Sequence, residues 1–270
     1  MNRLLILCML VLWIPLQAQT YQQNVRAALD ALAVDSLSQA DSLLRKALKQ
    51  EPALKSNAIL FQHLGHIQER WGQPEKALEY YGMGLNLSPT TLGLLLDRAS
   101  LYLRRGNDKR ALVDYNDVLD LNGDHAEALF FRAYIYTHQR LYKQARADYE
   151  HLIRLQPDHV EARTALALLN DRDNRPREAM EQINALLELY PYRADLYLAR
   201  GGMEQDRKQY ETALHDMNRA LELNPKNPDA YLSRASLYMA MKKKKLAKQD
   251  CQKAIALGAD QESALRIVME

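Results

Sequence analysis

Alanine recurs at Ala77, Ala111, Ala145, Ala179, Ala213 and Ala247, with every interval 34 residues long. Four residues after each comes a bulky or apolar side chain: Tyr81, Tyr115, Tyr149, Ile183, Met217 and Cys251. Twelve residues before each comes a small one: Gly65, Ala99, Ala133, Ala167, Gly201 and Ala235. Pro89, Pro157, Pro191 and Pro225 hold the same frame, with Gly123 in the slot between the first two. A fixed period of this length means a stacked array of one supersecondary unit. Two antiparallel helices approach closely only where facing side chains are tiny, so Gly or Ala on one helix must meet Ala on the next. The bulky residue one turn later fills the space beside them. Proline cannot continue a helix and marks the joint between units.

With those slots in place, the chain resembles the tetratricopeptide repeat family. The plainest copy is AILFQHLGHIQERWGQPEKALEYYGMGLNLSPTT, Ala58 to Thr91, with Leu64-Gly65, Ala77, Tyr81 and Pro89 in the family's positions. Further copies begin at Leu92, Ala126, Val160, Ala194 and Pro228, and a degenerate first copy begins near Tyr21 with Ala40, Leu44, Ala47 and Pro52. Ala40 precedes Ala77 by 37 residues, which predicts extra residues near Lys55 to Asn57. The resemblance implies an all-α fold, a right-handed superhelical solenoid of about seven helix-turn-helix repeats over residues 19–261. A polar-faced capping helix is expected over 262–270, with Leu265 and Val268 at helical spacing. Repeat five carries Asn170 where an aromatic or Leu belongs, which predicts the loosest internal unit.

The first residues are unlike the rest. Arg3, an apolar run from Leu4 to Ile14, Pro15 and a terminal Ala18 read as a signal peptide over residues 1–18, cleaved after Ala18 or retained as an anchor. Cleavage leaves Cys251 as the single cysteine, which cannot form an intramolecular disulfide. Lys and Arg total 36 against 34 Asp and Glu, a balance that argues against a nucleic-acid partner held by bulk charge. No phosphate-binding glycine loop, dinucleotide fingerprint, HExxH or nucleophile elbow occurs, so neither a catalytic residue nor a cofactor is assigned. His63, His66 and Glu69 climb one side of a helix, but nothing marks a further ligand, so they read as surface or groove residues and no metal is assigned.

Four repeats carry Arg before the small residue (Arg98, Arg132, Arg200, Arg234) and the same four carry Asp sixteen residues later (Asp114, Asp148, Asp216, Asp250). Repeats two and five lack both, which predicts an Arg–Asp bridge between the two helices of each of the four.

In the family, partners usually bind along the first helices. By helical spacing the groove is expected to take Gln62, His66 and Glu69, then Leu96, Ser100 and Leu103. Next come Phe130, Tyr134 and Thr137, then Thr164, Leu168 and Asp171. Phe130 and Tyr134 with the leucines would make an aromatic-aliphatic centre with a polar rim, unless Phe130 is core. The Lys and Asn clamp by which one subfamily holds chaperone C-termini is absent, the matching slots being Gln62, His66, Leu96, Asp97 and Phe130. The expected function is a non-enzymatic protein-interaction scaffold of the bacterial cell envelope, or secreted, holding a peptide or protein. The alternative is an envelope enzyme or accessory with an unmarked site. Cys251 falls in the slot of the buried fillers. Lys242 to Lys245 fall on the turn of the last repeat, a solvated stretch or a contact for an anionic membrane.

Overall fold

The computed structural model describes residues 16–269. Residues 1–15 of the expected signal segment lie outside the described residues. Among the described residues there are fifteen α-helices, one 3-10 turn and no strand. The chain divides into two compact units, one running to Arg132 and one starting at Ala133.

Unit 1 holds α1 (Leu16–Ala33), α2 (Leu37–Gln50), α3 (Ala58–Arg70), α4 (Pro74–Leu87), α5 (Leu92–Arg104), α6 (Asp108–Leu121) and the first half of α7 (Ala126–His138). The pairs α1/α2, α3/α4 and α5/α6 pack as hairpins, and α3 also lies beside α5. The residues that offset the first repeat form the 3-10 turn, Lys55–Asn57. Asn57 is fully buried there, accepting from the Tyr21 hydroxyl at 2.7 Å and donating to the Glu51 carbonyl. The turn is thus a packed joint between repeats one and two.

Unit 2 holds the second half of α7, α8 (Tyr142–Leu155), α9 (Val160–Arg172), α10 (Pro176–Leu189), α11 (Ala194–Asp206), α12 (Tyr210–Leu223), α13 (Pro228–Ala240), α14 (Lys244–Ala256) and α15 (Gln261–Met269). Here α9, α11 and α13 lie side by side, each backed by its own second helix. The last helix buries Ala264 and Val268 against Ala235, Ala247 and Cys251. Leu265, expected on that inner face, is instead exposed, because Ala264 takes the position one helical turn before Val268.

The alanines of the 34-residue frame are all fully buried. Their partners need space of different sizes. A Cβ on Gly65 would meet the Tyr81 ring at 2.1 Å, so only glycine fits opposite that tyrosine. The hairpin turns have a frame of their own. Gly72, Gly106, Arg140, Asn174, Lys208 and Lys242 all adopt positive φ, between 59° and 70°. Each ends a first helix with the same bond pair, as where Lys242 N–H reaches Met239 C=O and Lys243 N–H reaches Tyr238 C=O. This is the left-handed helix stop, which non-glycine residues enter at a cost of roughly 1 kcal/mol. Repeat five, expected to be loosest, fills its aromatic slot with a polar node. Asn170 is buried, donates to Gln182 at 2.8 Å and accepts from Arg146, which also reaches Asp173 at 2.6 Å. A cavity of about 350 Å³ lies beside Leu166, in the slot where four other repeats carry arginine.

Candidate functional site: the first-helix faces

In unit 1 the expected groove residues of α3 and α5 are bound to one another. Asp97 is the hub, accepting from the Gln62 amide at 2.6 Å and pairing with His66 Nε2 at 2.6 Å. Glu69 accepts from the Tyr81 hydroxyl at 2.5 Å and from Arg104, whose other amine reaches Ser100 Oγ at 2.8 Å. The Asp97 hydrogen bond holds the His66 pKa above the ordinary histidine value against the opposing effect of burial. Burial, followed by the neighbouring His66, pushes His63 the other way. His63, His66 and Glu69 do not converge on a common point, since His66 is turned to Asp97 and Glu69 to Tyr81 and Arg104. Leu96, Leu103 and Phe130 are half-buried, and the Phe130 ring meets Phe131 edge-on at 5.4 Å.

In unit 2 an open groove of about 470 Å³ runs across α9, α11 and α13. Leu168 and Asp171, both expected, line it, as do Leu198, Gly202, Gln205 and Ser236. Asp171 is engaged by Arg207, and Gln205 donates to Ser236 at 3.2 Å. A Cβ on Gly202 would have nothing within 4 Å, so the backbone of α11 lies open to the groove. Thr164 is half-buried and spends its hydroxyl on the Val160 carbonyl at 2.8 Å. Tyr134 is exposed, with its ring 4.4 Å from that of His138. Thr137 is a correction: it is buried and donates to the Ala133 carbonyl at 2.8 Å, so its short side chain lies down on its own helix and offers the groove nothing.

Leu198, Gly202, Gln205, Leu232 and Ser236 were missed by the sequence reading, although they occupy the same fifth, ninth and twelfth slots in repeats six and seven. The signal was present two repeats further along the frame.

The arginines sit behind these faces. Arg98 Nε and Nη2 reach the two Asp114 oxygens at 2.9 and 2.7 Å. Arg200 meets Asp216 at 2.6 and 2.8 Å, and Arg234 meets Asp250 at 2.7 and 2.8 Å. All three are two-pronged bridges between the helices of one repeat. Of the fourth expected pair, Asp148 is buried in unit 2, and Arg132 in unit 1 donates to Asn116 at 2.9 Å. That asparagine exposes a second set of links. Asn184 and Asn218 accept likewise from Arg200 and Arg234, at 2.8 and 2.7 Å. Arg200 and Arg234 therefore each tie their own second helix to the second helix of the preceding repeat. The sixteen-residue interval from Asn to Arg is present in the sequence, but it crosses a repeat boundary, so no single repeat displays it.

Comparison with known proteins gives the same picture. Tetratricopeptide repeat family profiles match residues 58–91 and 228–260, and 96–150 and 139–194, and a further TPR repeat profile matches 203–242. A crystal structure of a tetratricopeptide repeat protein from Parabacteroides merdae ATCC 43184 is 28% identical, with a TM-score of 0.86 over 93% of this chain and 100% of that one. PilF of Pseudomonas aeruginosa is 16% identical with a TM-score of 0.59, covering 77% of this chain and 94% of that one. The MamA protein is 19% identical with a TM-score of 0.57, covering 72% and 96%. No curated protein sequence matches. The buried 34-residue frame, the repeated hairpins and these profiles together place the chain in the tetratricopeptide repeat family.

Proposed function

We propose that the protein is a non-enzymatic scaffold that holds a peptide or an extended protein segment in the first-helix groove of unit 2, within the cell envelope. The observation that carries this reading is Gly202. It stands inside a helix, where glycine costs roughly 1 kcal/mol against alanine, and nothing packed against it requires the loss. What the missing side chain provides is an exposed backbone over which another chain can pass closely. The surrounding Leu168, Leu198 and Leu232 supply apolar contact, while Gln205, Ser233 and Ser236 supply a hydrogen-bonding rim. The envelope location rests on the sequence of residues 1–18. No helix among the described residues is long and apolar enough to cross a membrane.

The test is site-specific photo-crosslinking in envelope extract. A crosslinker at Leu232 should capture a discrete partner, and Gly202→Trp should abolish capture while leaving the helical circular dichroism unchanged. A crosslinker at Val113, exposed on α6, should capture nothing. Equal capture from both positions, or insensitivity to Gly202→Trp, would overturn the reading. Turnover of a substrate by the isolated protein would favour the enzyme alternative.

A further inference from the structure

A second surface of unit 2 is built for a different kind of contact. Lys242 to Leu246 are five consecutive exposed residues at the α13–α14 turn, followed after buried Ala247 by exposed Lys248. The preceding hairpin turn brings Lys208 to the same place: Lys208, Lys242 and Lys243 line one open cleft of about 490 Å³ with Tyr210, Glu211 and Met241. The cleft's single carboxylate is Glu211. Among the ion pairs of the described residues, none involves any of these six lysines.

The fold gains nothing from this arrangement. The second helices of repeats five and six place Glu178 and Glu211 in their first turn, where a negative charge suits the helix dipole. At the same point α14 has no acidic residue and carries Lys244 and Lys245, preceded by Lys243 at its N-cap. Lys242 adds a left-handed backbone that glycine would adopt more readily. Mutual repulsion, an opposed helix dipole and a strained turn all act against local stability, and an external anionic surface would reverse the first two.

Apolar groups in the cluster decide which surface. Leu246 is 40% exposed beside four lysines, and Met241 and Tyr210 are half-exposed in the cleft. Lysine ammoniums around a protruding aliphatic side chain match a bilayer interface, where headgroup charge attracts the cations and the acyl boundary accepts the leucine. A nucleic acid would instead be served by arginine forks or open stacking faces, whereas the cleft's one aromatic ring, Tyr210, is half-buried and packed against the core of Ala213, Met217 and Leu237. The cluster contains no arginine, and the chain's overall charge is only +2.

We propose that the α11–α12 and α13–α14 turns form a membrane-docking face, Lys208, Lys242–Lys245 and Lys248 around Leu246, that seats the C-terminal end of unit 2 on an anionic lipid surface. This face is separate from the groove, and the proposal does not rest on groove binding.

Vesicle flotation of the full chain tests it. The apolar N-terminal run can bind any bilayer, so the readout is the gain on moving from neutral phosphatidylcholine vesicles to vesicles with about 30% phosphatidylglycerol. Wild type should gain at least about tenfold, and the gain should shrink between about 50 and about 300 mM salt. The variant K242Q/K243Q/K244Q/K245Q should lose most of the gain yet bind neutral vesicles like wild type. Leu246→Ser should weaken binding to anionic vesicles while preserving its salt dependence. Equal binding of wild type to both vesicle types, or a quadruple variant that keeps the gain, would overturn the proposal. So would lysine-dependent binding to a single-stranded oligonucleotide without any vesicle gain.

Discussion

Gly201 and Gly202 are neighbours in α11, and their surroundings set opposite outcomes for one substitution. A Cβ on Gly201 would lie 3.2 Å from the Ala213 carbonyl and 3.4 Å from Asp216 and Met217, whereas on Gly202 it would meet nothing. Gly202→Ala should therefore stabilise the protein by about 0.5–1 kcal/mol in urea titration, and Gly201→Ala should gain less or destabilise it by about 1 kcal/mol. The sequence distinguishes the two by frame alone, since only Gly201 occupies the close-approach slot. The histidines of α3 are a different case. His66 has its pKa raised by the Asp97 hydrogen bond, so it stabilises the fold below the ordinary histidine value and loses that contribution as pH rises through its raised value. His63, lowered by burial, opposes folding as pH falls below the ordinary value. An NMR titration should show His66 titrating above and His63 below about 6.5, and Asp97→Asn should bring His66 down because burial is then opposed only by the Glu69 charge. None of this was legible in the sequence, where His63 and His66 are merely i and i+3 and Asp97 belongs to another repeat.

At the scale of helices, the arginine bridges show which contacts hold a hairpin and which hold its neighbour. The Asp114 side chain is only 2% exposed, so Arg98→Ala would leave a buried carboxylate without its cation. That substitution should cost about 3–5 kcal/mol in urea titration, while the double variant R98M/D114L should lie within about 1 kcal/mol of wild type or above it. A double variant as damaged as the single would mean the arginine acts by packing alone. Co-occurrence of Arg and Asp at an interval of sixteen made this pairing readable from one chain. The turn frame was not read, because its residues differ: Gly72, Gly106, Arg140, Asn174, Lys208 and Lys242 share a backbone angle and no side-chain type. Gly106→Ala should thus cost about 1 kcal/mol through φ alone, since no atom lies near its Cβ position.

At the scale of the whole molecule, each repeat within a unit touches mainly its sequence neighbours, so stability is approximately a sum of local terms and terminal elements open most readily. Cys251 reports on one end. Its thiol is 2% exposed, burial pushes its pKa up, and Ala264 and Val268 of α15 lie against it. Labelling by a thiol reagent should be slow in the native protein, and Val268→Asp, which drives α15 off, should accelerate it at least about tenfold without unfolding unit 1. The sequence by itself determined the all-α repeat, the slots of closest helix approach and the burial of Cys251, because these depend on side-chain size at a fixed interval along one chain. Only the tertiary structure decided which polar groups remain for a partner. Gln62, His66, Glu69 and Asp171 were all expected to face one, yet all are spent on side chains 31 to 36 residues away, on Asp97, Arg104 and Arg207. Helical spacing states which way a residue points, whereas a hydrogen bond depends on the reach and rotamer of the side chain opposite. The open backbone at Gly202 and the lysine face are likewise properties of what neighbouring repeats leave uncovered, which no interval within a single repeat records.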